Sequence, residues 1–299
     1  MALFVICGAT ASGKSGLSIA LAKKISAEII NADSMQLYRG MDIGTAKLTV
    51  TEREEIPHHL LDILDVTEDA NVASYQQLAR TKIDELQNAG KNVIIVGGTG
   101  LYIKSIIDEL NFPDRDIEVR DRIDKEATEL GAIAMHKKLA ELDPVAAAKI
   151  PANNLRRVVR ALEVIELTGE PFTAQLPRED VDHYQGVKQF GLVMDRSTLD
   201  QRISQRVDQM WDLRFVEEVR QLIALGITNG KTAQAALGYK QIINAITDGL
   251  SLDLAKEETK RATRQYARRQ ETWFSRDPRI KWVAPESTTL QLEKILKSL

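Results

Sequence analysis

Gly8-Ala-Thr-Ala-Ser-Gly-Lys-Ser15 is the stretch on which the reading of this chain turns. It has the form G-x-x-x-x-G-K-[ST], and an apolar run, Leu3 to Cys7, leads into it almost from the N-terminus. A strand before and a helix after make this a phosphate-binding loop. Successive backbone N–H groups in such a loop form a concave anion nest at a helix N-terminus. Gly8, Ala9, Thr10, Ala11, Ser12, Gly13, Lys14 and Ser15 are therefore the candidate polyphosphate-binding residues. Lys14 adds a point charge. The Ser15 hydroxyl is a candidate ligand for the Mg²⁺ that accompanies most polyphosphates. The loop alone leaves open which phosphate compound binds and what happens to it.

Outward from the loop, strand and helix alternate. A helix is expected from about Lys14 to Ile25, and a second strand, Glu28–Ala32, ends at Asp33. Leu60–Leu64 reads as a strand, and Ser74 with Gln77 as a capping-box pair opening a helix that reaches Asn88 and closes at Gly90. Asn92–Val96 is a short continuous apolar run, the pattern of a central parallel strand, and it enters Gly97-Gly98-Thr99-Gly100. Such alternation predicts an α/β fold: a P-loop NTPase-like parallel sheet with flanking helices. Ligands collect at the carboxyl ends of its strands, so the loop, Asp33 and Thr99 should face one crevice. From about Pro113 to Val187 the periodicity is helical throughout. Strands return at Gln189–Met194 and Ile280–Val283, with helices at about 199–225 and 253–276. The expected organisation is a discontinuous core, 1–113 and 188–299, with an all-helical insertion at 114–187.

The chain has 299 residues, 43% of them hydrophobic, enough for a sizeable core. One cysteine, Cys7, excludes an intramolecular disulfide framework and is expected to be buried in the first strand. The N-terminus lacks a signal-peptide pattern, and no apolar stretch is long enough to span a membrane, so a soluble, cytoplasmic protein is expected. A net charge of −3 argues against nucleic acid, but the distribution argues for it. Lys149 to Arg160 contains Lys149, Arg156, Arg157 and Arg160 without an acid, and Lys256 to Lys281 holds nine basic against four acidic residues. Asp108 to Glu129 reverses the balance with nine acids and four bases. Such segregation is the signature of a basic groove in an otherwise acidic protein.

Asp33 directly follows an apolar strand near the loop. It can hold Mg²⁺ through water, act as a general base, or merely cap a turn. The strand at 92–96 ends in Gly-Gly-Thr rather than an acidic pair, which argues against an ordinary ATPase. Gly97, Gly98 and Gly100 suggest either close approach of a ligand or a plain tight turn, and Thr99 offers a hydroxyl there. Arg220, with Arg202 and Arg206 earlier on the helix at about 199–225, suits bidentate phosphate contacts. Arg261, Arg264 and Arg268 share one helix face, with Arg269 and Trp273 on a neighbouring stripe, as suits an RNA backbone beside a stacked base. The four histidines show no metal-ligand spacing. Met35, Met41 and Met210 read as core or pocket fillers.

Over nearly its whole length the chain resembles the tRNA dimethylallyltransferases, also called tRNA isopentenyltransferases. The resemblance rests on Gly8–Ser15; on Asn31-Ala-Asp-Ser-Met-Gln-Leu-Tyr-Arg-Gly-Met-Asp-Ile-Gly-Thr-Ala-Lys47; and on Gly97-Gly-Thr-Gly-Leu-Tyr102. Arg160-Ala-Leu-Glu-Val164, Gly238-Tyr-Lys240 and Thr263-Arg-Gln-Tyr-Ala-Arg-Arg-Gln270, leading to Trp273, complete it. The resemblance implies transfer of a dimethylallyl group from dimethylallyl diphosphate to the exocyclic amine of the adenosine 3′ of the tRNA anticodon. It makes the loop a site for the diphosphate leaving group rather than ATP. It assigns Asp33 as general base, Thr99 as a contact to the same base and Arg220 as a diphosphate ligand. By the same resemblance Asp33, Ser34, Met35, Gln36, Thr99, Arg120, Arg156, Arg157, Val158, Val159, Arg160, Gly238, Tyr239 and Lys240 contact the tRNA. The insertion then clasps the anticodon stem-loop chiefly through phosphates, the target base is flipped into the crevice, and the protein acts as a monomer. A phosphate-loop kinase of a nucleotide or small metabolite, and a non-catalytic RNA-binding protein, are the rival readings; the first leaves the basic insert and the 31–47 motif unexplained, and the second leaves Asp33 and Thr99 without purpose.

Overall fold

The structure, a computed structural model, describes residues 1–113, 116–175 and 181–298. Six strands form one sheet: β1 (Leu3–Gly8), β2 (Ala27–Asn31), β3 (His58–His59), β4 (Asn92–Gly97), β5 (Lys188–Leu192) and β6 (Ile280–Val283). Their order is β3-β2-β4-β1-β5-β6, and each of these neighbouring strands pairs in parallel. Helices α1 (Lys14–Ile25), α2 (Val72–Asn88) and α3 (Gly100–Ile107) come first. Then come α4 (Ile117–Leu142), α5 (Pro144–Lys149) and α6 (Leu155–Thr168). The chain ends with α7 (Arg196–Asp212), α8 (Phe215–Ala224), α9 (Tyr239–Thr247), α10 (Leu252–Phe274) and α11 (Thr288–Lys297).

Alternation along β1 builds the core. Leu3, Val5 and Cys7 face one side with residues of α2 and α3, while Phe4 and Ile6 face the other with residues of α1 and α11. A strand buried on both faces needs such a continuous apolar run, which is why β1 and β4 are legible as central strands. Burial pushes the Cys7 thiol up to about 12, so it packs rather than reacts. The chain leaving β1 goes to β2, whereas the chain leaving β4 goes to β5 on the far side of β1. The carboxyl ends of β1 and β4 therefore open the crevice expected at a topological switch point.

The chain divides into two compact units, Met1–Ile107 with Tyr184–Leu299, and Asp108–His183. The second unit starts before residue 114, the expected boundary, which lies outside the described residues, and it ends before residue 187. Its neck is the reason: Asp108 and Asp182 form an antiparallel bridge, and the Glu109 N–H donates to the Val181 carbonyl. Inside it, Ile123, Met135 and Leu139 of α4 pack with Val158, Val159 and Leu162 of α6.

Other expectations need correction. Leu60–Leu64 is not a strand: Leu60 and Asp62 have φ of 61° and 56°, which breaks any ladder. Its apolar side chains still pack on the core, so the run imitates a strand. Helix α2 is capped by Asn71, whose Oδ1 accepts the Ser74 N–H, and not by Ser74. The helix expected at 199–225 is two, because Arg214 is left-handed at φ 69° between α7 and α8. Among the described residues no helix is long and apolar enough to cross a membrane.

Candidate active site

The loop after β1 curls through left-handed residues, Ala11 at φ 64° and Gly13 at φ 95°, and delivers the chain into α1. The first turn of α1 carries no acid and its N-cap no side-chain bond, so the positive end of the helix faces the loop. Within it the Ser12 hydroxyl is buried without a hydrogen-bond partner among the described residues, an orphan donor that suits an anion. The Lys14 ammonium donates to the Ala9 carbonyl at 2.6 Å. Burial and then the neighbouring Arg206 charge lower its pKa to about 8, with Asp33 pulling the other way.

Asp33 stands where β2 ends. Its Oδ1 accepts the Met35 N–H at 2.9 Å, and Asn31 brackets the turn by accepting the Asp33 N–H and donating to the Asp33 carbonyl. Burial raises the Asp33 carboxyl, against the Met35 N–H and the Lys14 charge, which hold it down. Thr99 joins the two strand ends: its hydroxyl oxygen accepts the Ser34 N–H at 3.3 Å, and its own N–H donates to the Ala32 carbonyl.

Helices α7 and α10 close over these loops. Arg206 of α7 brings Nη1 to 3.5 Å from the Thr10 hydroxyl, and its burial lowers its pKa. From α10 come Tyr266 and Gln270. Burial, then the Asp33 charge, push the Tyr266 phenol up to about 12. The result is a cleft of about 330 Å³. Its polar lining includes Thr10, Asp33, Ser34, Arg206, Tyr266 and Arg269, and its apolar lining Ile203, Val207, Met210 and Leu237. The edge of the anion nest at Thr10, a carboxylate and an apolar wall thus meet in one space, as suits a reaction between a polyphosphate ester with an apolar tail and a polar acceptor.

The IPP transferase family model matches residues 36–277. The tRNA dimethylallyltransferase of Thermobifida fusca is 53% identical over 293 residues, taking in 96% of this chain and 91% of that protein. The chain belongs to the tRNA dimethylallyltransferase family. A relative of the same name from Streptomyces griseus is 54% identical over 281 residues, 94% of this chain and 89% of its own. Among solved structures, the full-length tRNA isopentenylpyrophosphate transferase of Bacillus halodurans aligns with a TM-score of 0.74 at 39% identity, covering 99% and 95% of the two chains. A eukaryotic dimethylallyltransferase acting on tRNA aligns at 0.81 with 27% identity, covering 97% of this chain and 75% of its own.

In this dimethylallyltransferase family member only part of the sequence-derived site lines the cleft. Thr10, Asp33, Ser34, Met35 and Tyr239 line the cleft, and Met210 with them. Arg220 does not. Its side chain is 57% exposed on α8, with Glu217 at 3.9 Å, because the break at Arg214 turns α8 onto a different course from α7. Arg206 takes the place beside the loop. Tyr239 is fully buried, its hydroxyl donating to Glu218, so of Gly238, Tyr239 and Lys240 only Lys240 is exposed. Val158 and Val159 point into the insertion core, while Arg156 and Arg157 are exposed. Arg120 and Arg160 both lean on the buried carboxylate of Glu163.

Two signals gain a structural meaning. Gly98 and Gly100 are approached closely by α10: a Cβ would stand 2.2 Å from Gln270 Nε2 and 2.1 Å from the Trp273 ring, respectively. Much of the 31–47 motif is scaffold. Lys47, its side chain 3% exposed, donates to the Tyr38 carbonyl, Asp42 and Asp62. Glu218 accepts the N–H groups of Asp42, Ile43 and Gly44 and holds that wall of the cleft. Arg206 was offered by the sequence only as one of three helix arginines, and the roles of Tyr266 and Gln270 were hidden because each is an ordinary helix residue until its partners are in place.

Proposed function

We propose that this transferase moves a dimethylallyl group from dimethylallyl diphosphate to N6 of the adenosine 3′ of the anticodon in tRNA, releasing diphosphate. The observation that carries this reading is that Thr10 of the loop, Arg206 and Asp33 line one cleft with an apolar wall, and that the Lys14 charge is felt by both Arg206 and Asp33. The loop and Lys14 receive the diphosphate. Arg206 faces the same end through Thr10. Thr99 and Asp33 face the adenine. The C1–O bond of the donor breaks with its electron pair going to diphosphate, the N6 lone pair closes on C1, and the N6 proton passes to the Asp33 carboxylate. Fixed charge at the leaving group supplies the largest share, about 3 kcal/mol for each key donor.

Mg²⁺ fits as an ion carried by the substrate. Among the described residues no group of three His, Cys, Asp or Glu side chains is placed to hold a metal, and Ser15 opens α1 beside the nest. One hydroxyl plus phosphate oxygens and water is the set that Mg²⁺ prefers, and bound there it would neutralise the departing diphosphate. On this reading the exposed Arg156 and Arg157 contact the anticodon stem-loop, and the protein works in the cytoplasm as a monomer. The test is direct: unmodified tRNA, Mg²⁺ and radiolabelled dimethylallyl diphosphate, with label counted in the RNA. Label in the wild type and its near loss in Asp33→Ala support the reading; no label with folded protein and several tRNAs rejects it.

A further inference from the structure

Gln270 is 5% exposed, and its carboxamide spans two loops of the crevice. Oε1 accepts the Thr10 N–H at 2.9 Å, and Nε2 donates to the Gly98 carbonyl at 2.8 Å. Both ends of the amide are thus matched, and Gly98 is the residue that admits it, since a side chain there would collide with Nε2. The peptide gripped through the Thr10 N–H is the one whose carbonyl, that of Ala9, takes the Lys14 ammonium. One peptide plane is therefore held from opposite edges by the phosphate-binding lysine and by Gln270. At the other end, the Gly98 carbonyl precedes Thr99, which is tied to Ser34 and Ala32 beside Asp33. Tyr266, one turn earlier on α10, interacts with the side chains of Thr99 and Gln270.

We propose that Gln270 is a positioning residue that couples the phosphate loop to the Gly97–Gly100 turn, so that anion binding sets the acceptor side. An anion that draws Lys14 away from the Ala9 carbonyl resets the Ala9–Thr10 peptide. Gln270 passes that change to Gly98 and so to Thr99. The inference rests on the diphosphate reading of the loop. It adds that the two half-sites are linked, and linkage between binding sites is reciprocal.

Hydrogen exchange on the full chain tests it, with inorganic diphosphate and Mg²⁺ as the probe. In the wild type the probe should slow exchange over residues 9–15 and, by about threefold or more, over 97–102. Gln270→Met fills the same space without either hydrogen bond and should keep the first effect while losing the second. Gln270→Glu keeps the acceptor for Thr10 and loses the donor to Gly98; it should behave alike, and it serves if the methionine variant fails to fold. A residue that only stabilises the fold would raise exchange with and without the probe and leave the probe-dependent difference at 97–102 intact; that result overturns the proposal. Protection at 9–15 alone in the wild type overturns the coupling and leaves the donor site standing. No protection at 9–15 removes the diphosphate reading and the coupling together.

Discussion

Lys14 and Arg160 are both cations in motifs that the sequence singles out, yet the sheet unit and the insertion treat them in opposite ways. In the sheet unit Lys14 and Arg206 are neighbouring cations whose burial already disfavours their charge, and each lowers in pKa. Among the described residues neither carries a carboxylate ion pair, and Asp33 acts on Lys14 only as a neighbouring field. In the insertion a single buried carboxylate, Glu163, takes Arg120 Nη1 at 3.1 Å and Arg160 Nη1 at 2.9 Å, and Arg160 also donates to the Pro113 carbonyl. Cations left uncompensated at a cost in stability mark a site that awaits an anion. Cations neutralised internally mark architecture. The distinction is invisible in a count of charges along the chain.

The comparison is broken most severely at Lys14. Lys14→Ala should lower transfer by about 10³-fold, the scale of losing a charged donor to a leaving group, while tRNA binding changes by less than about threefold. A parallel loss of RNA affinity would mean that the loop also serves the acceptor. The insertion's counterpart is Glu163→Ala, which leaves two guanidiniums facing a vacant buried site. It should cost about 3 kcal/mol of stability, seen as an early transition in urea unfolding. An unchanged transition would deny Glu163 its structural role.

A sharper cut falls within the sheet unit. Arg206→Ala should lower transfer by about 10²-fold, and Arg220→Ala by less than about twofold. The reverse result would restore the assignment that the sequence suggested. Arg220 lies outside the cleft lining for a local reason. A helical repeat through 199–225 looks continuous in sequence, and a left-handed arginine at position 214 is not a signal that composition carries. The phosphate loop, Asp33, Thr99 and the central strands were legible because each depends on contiguous residues: a nest, a strand end, an apolar run. Gln270, Tyr266 and the Glu218 clamp were not, because each acquires its role from a partner more than twenty residues distant. Val158 and Val159 show the converse error, residues carried with a basic run whose own side chains serve the core.

The perturbed lysine supplies a smaller effect with a definite sign. With its pKa near 8, Lys14 is mostly neutral at pH 9, and an anion in the nest favours the charged form. Diphosphate binding should therefore take up close to one proton per site at pH 9 and little at pH 7, read by calorimetry in buffers of different ionisation enthalpy. The same depressed value means that the unfolded chain binds more protons between about pH 8 and 10.5, so this group's contribution to stability rises across that window. Equal uptake at both pH values would show that the lysine is not perturbed.

The smallest expected effect bears on the insertion. Arg156 and Arg157 lie in the first turn of α6, exposed, with Asn154 capping the helix through the Arg157 N–H. If they meet RNA phosphates, each contact releases condensed counterions when the complex forms, and each arginine lost should flatten the plot of log affinity against log salt by about one unit. Arg160→Ala should leave that slope alone whatever it does to stability, since its charge is already answered by Glu163. Equal slopes for Arg156→Ala and wild type would mean that exposed charge in the insertion is no more committed to RNA than buried charge. A changed slope for Arg160→Ala would mean that the Glu163 pair opens when RNA binds, and the contrast between the two units would then be one of timing rather than of kind.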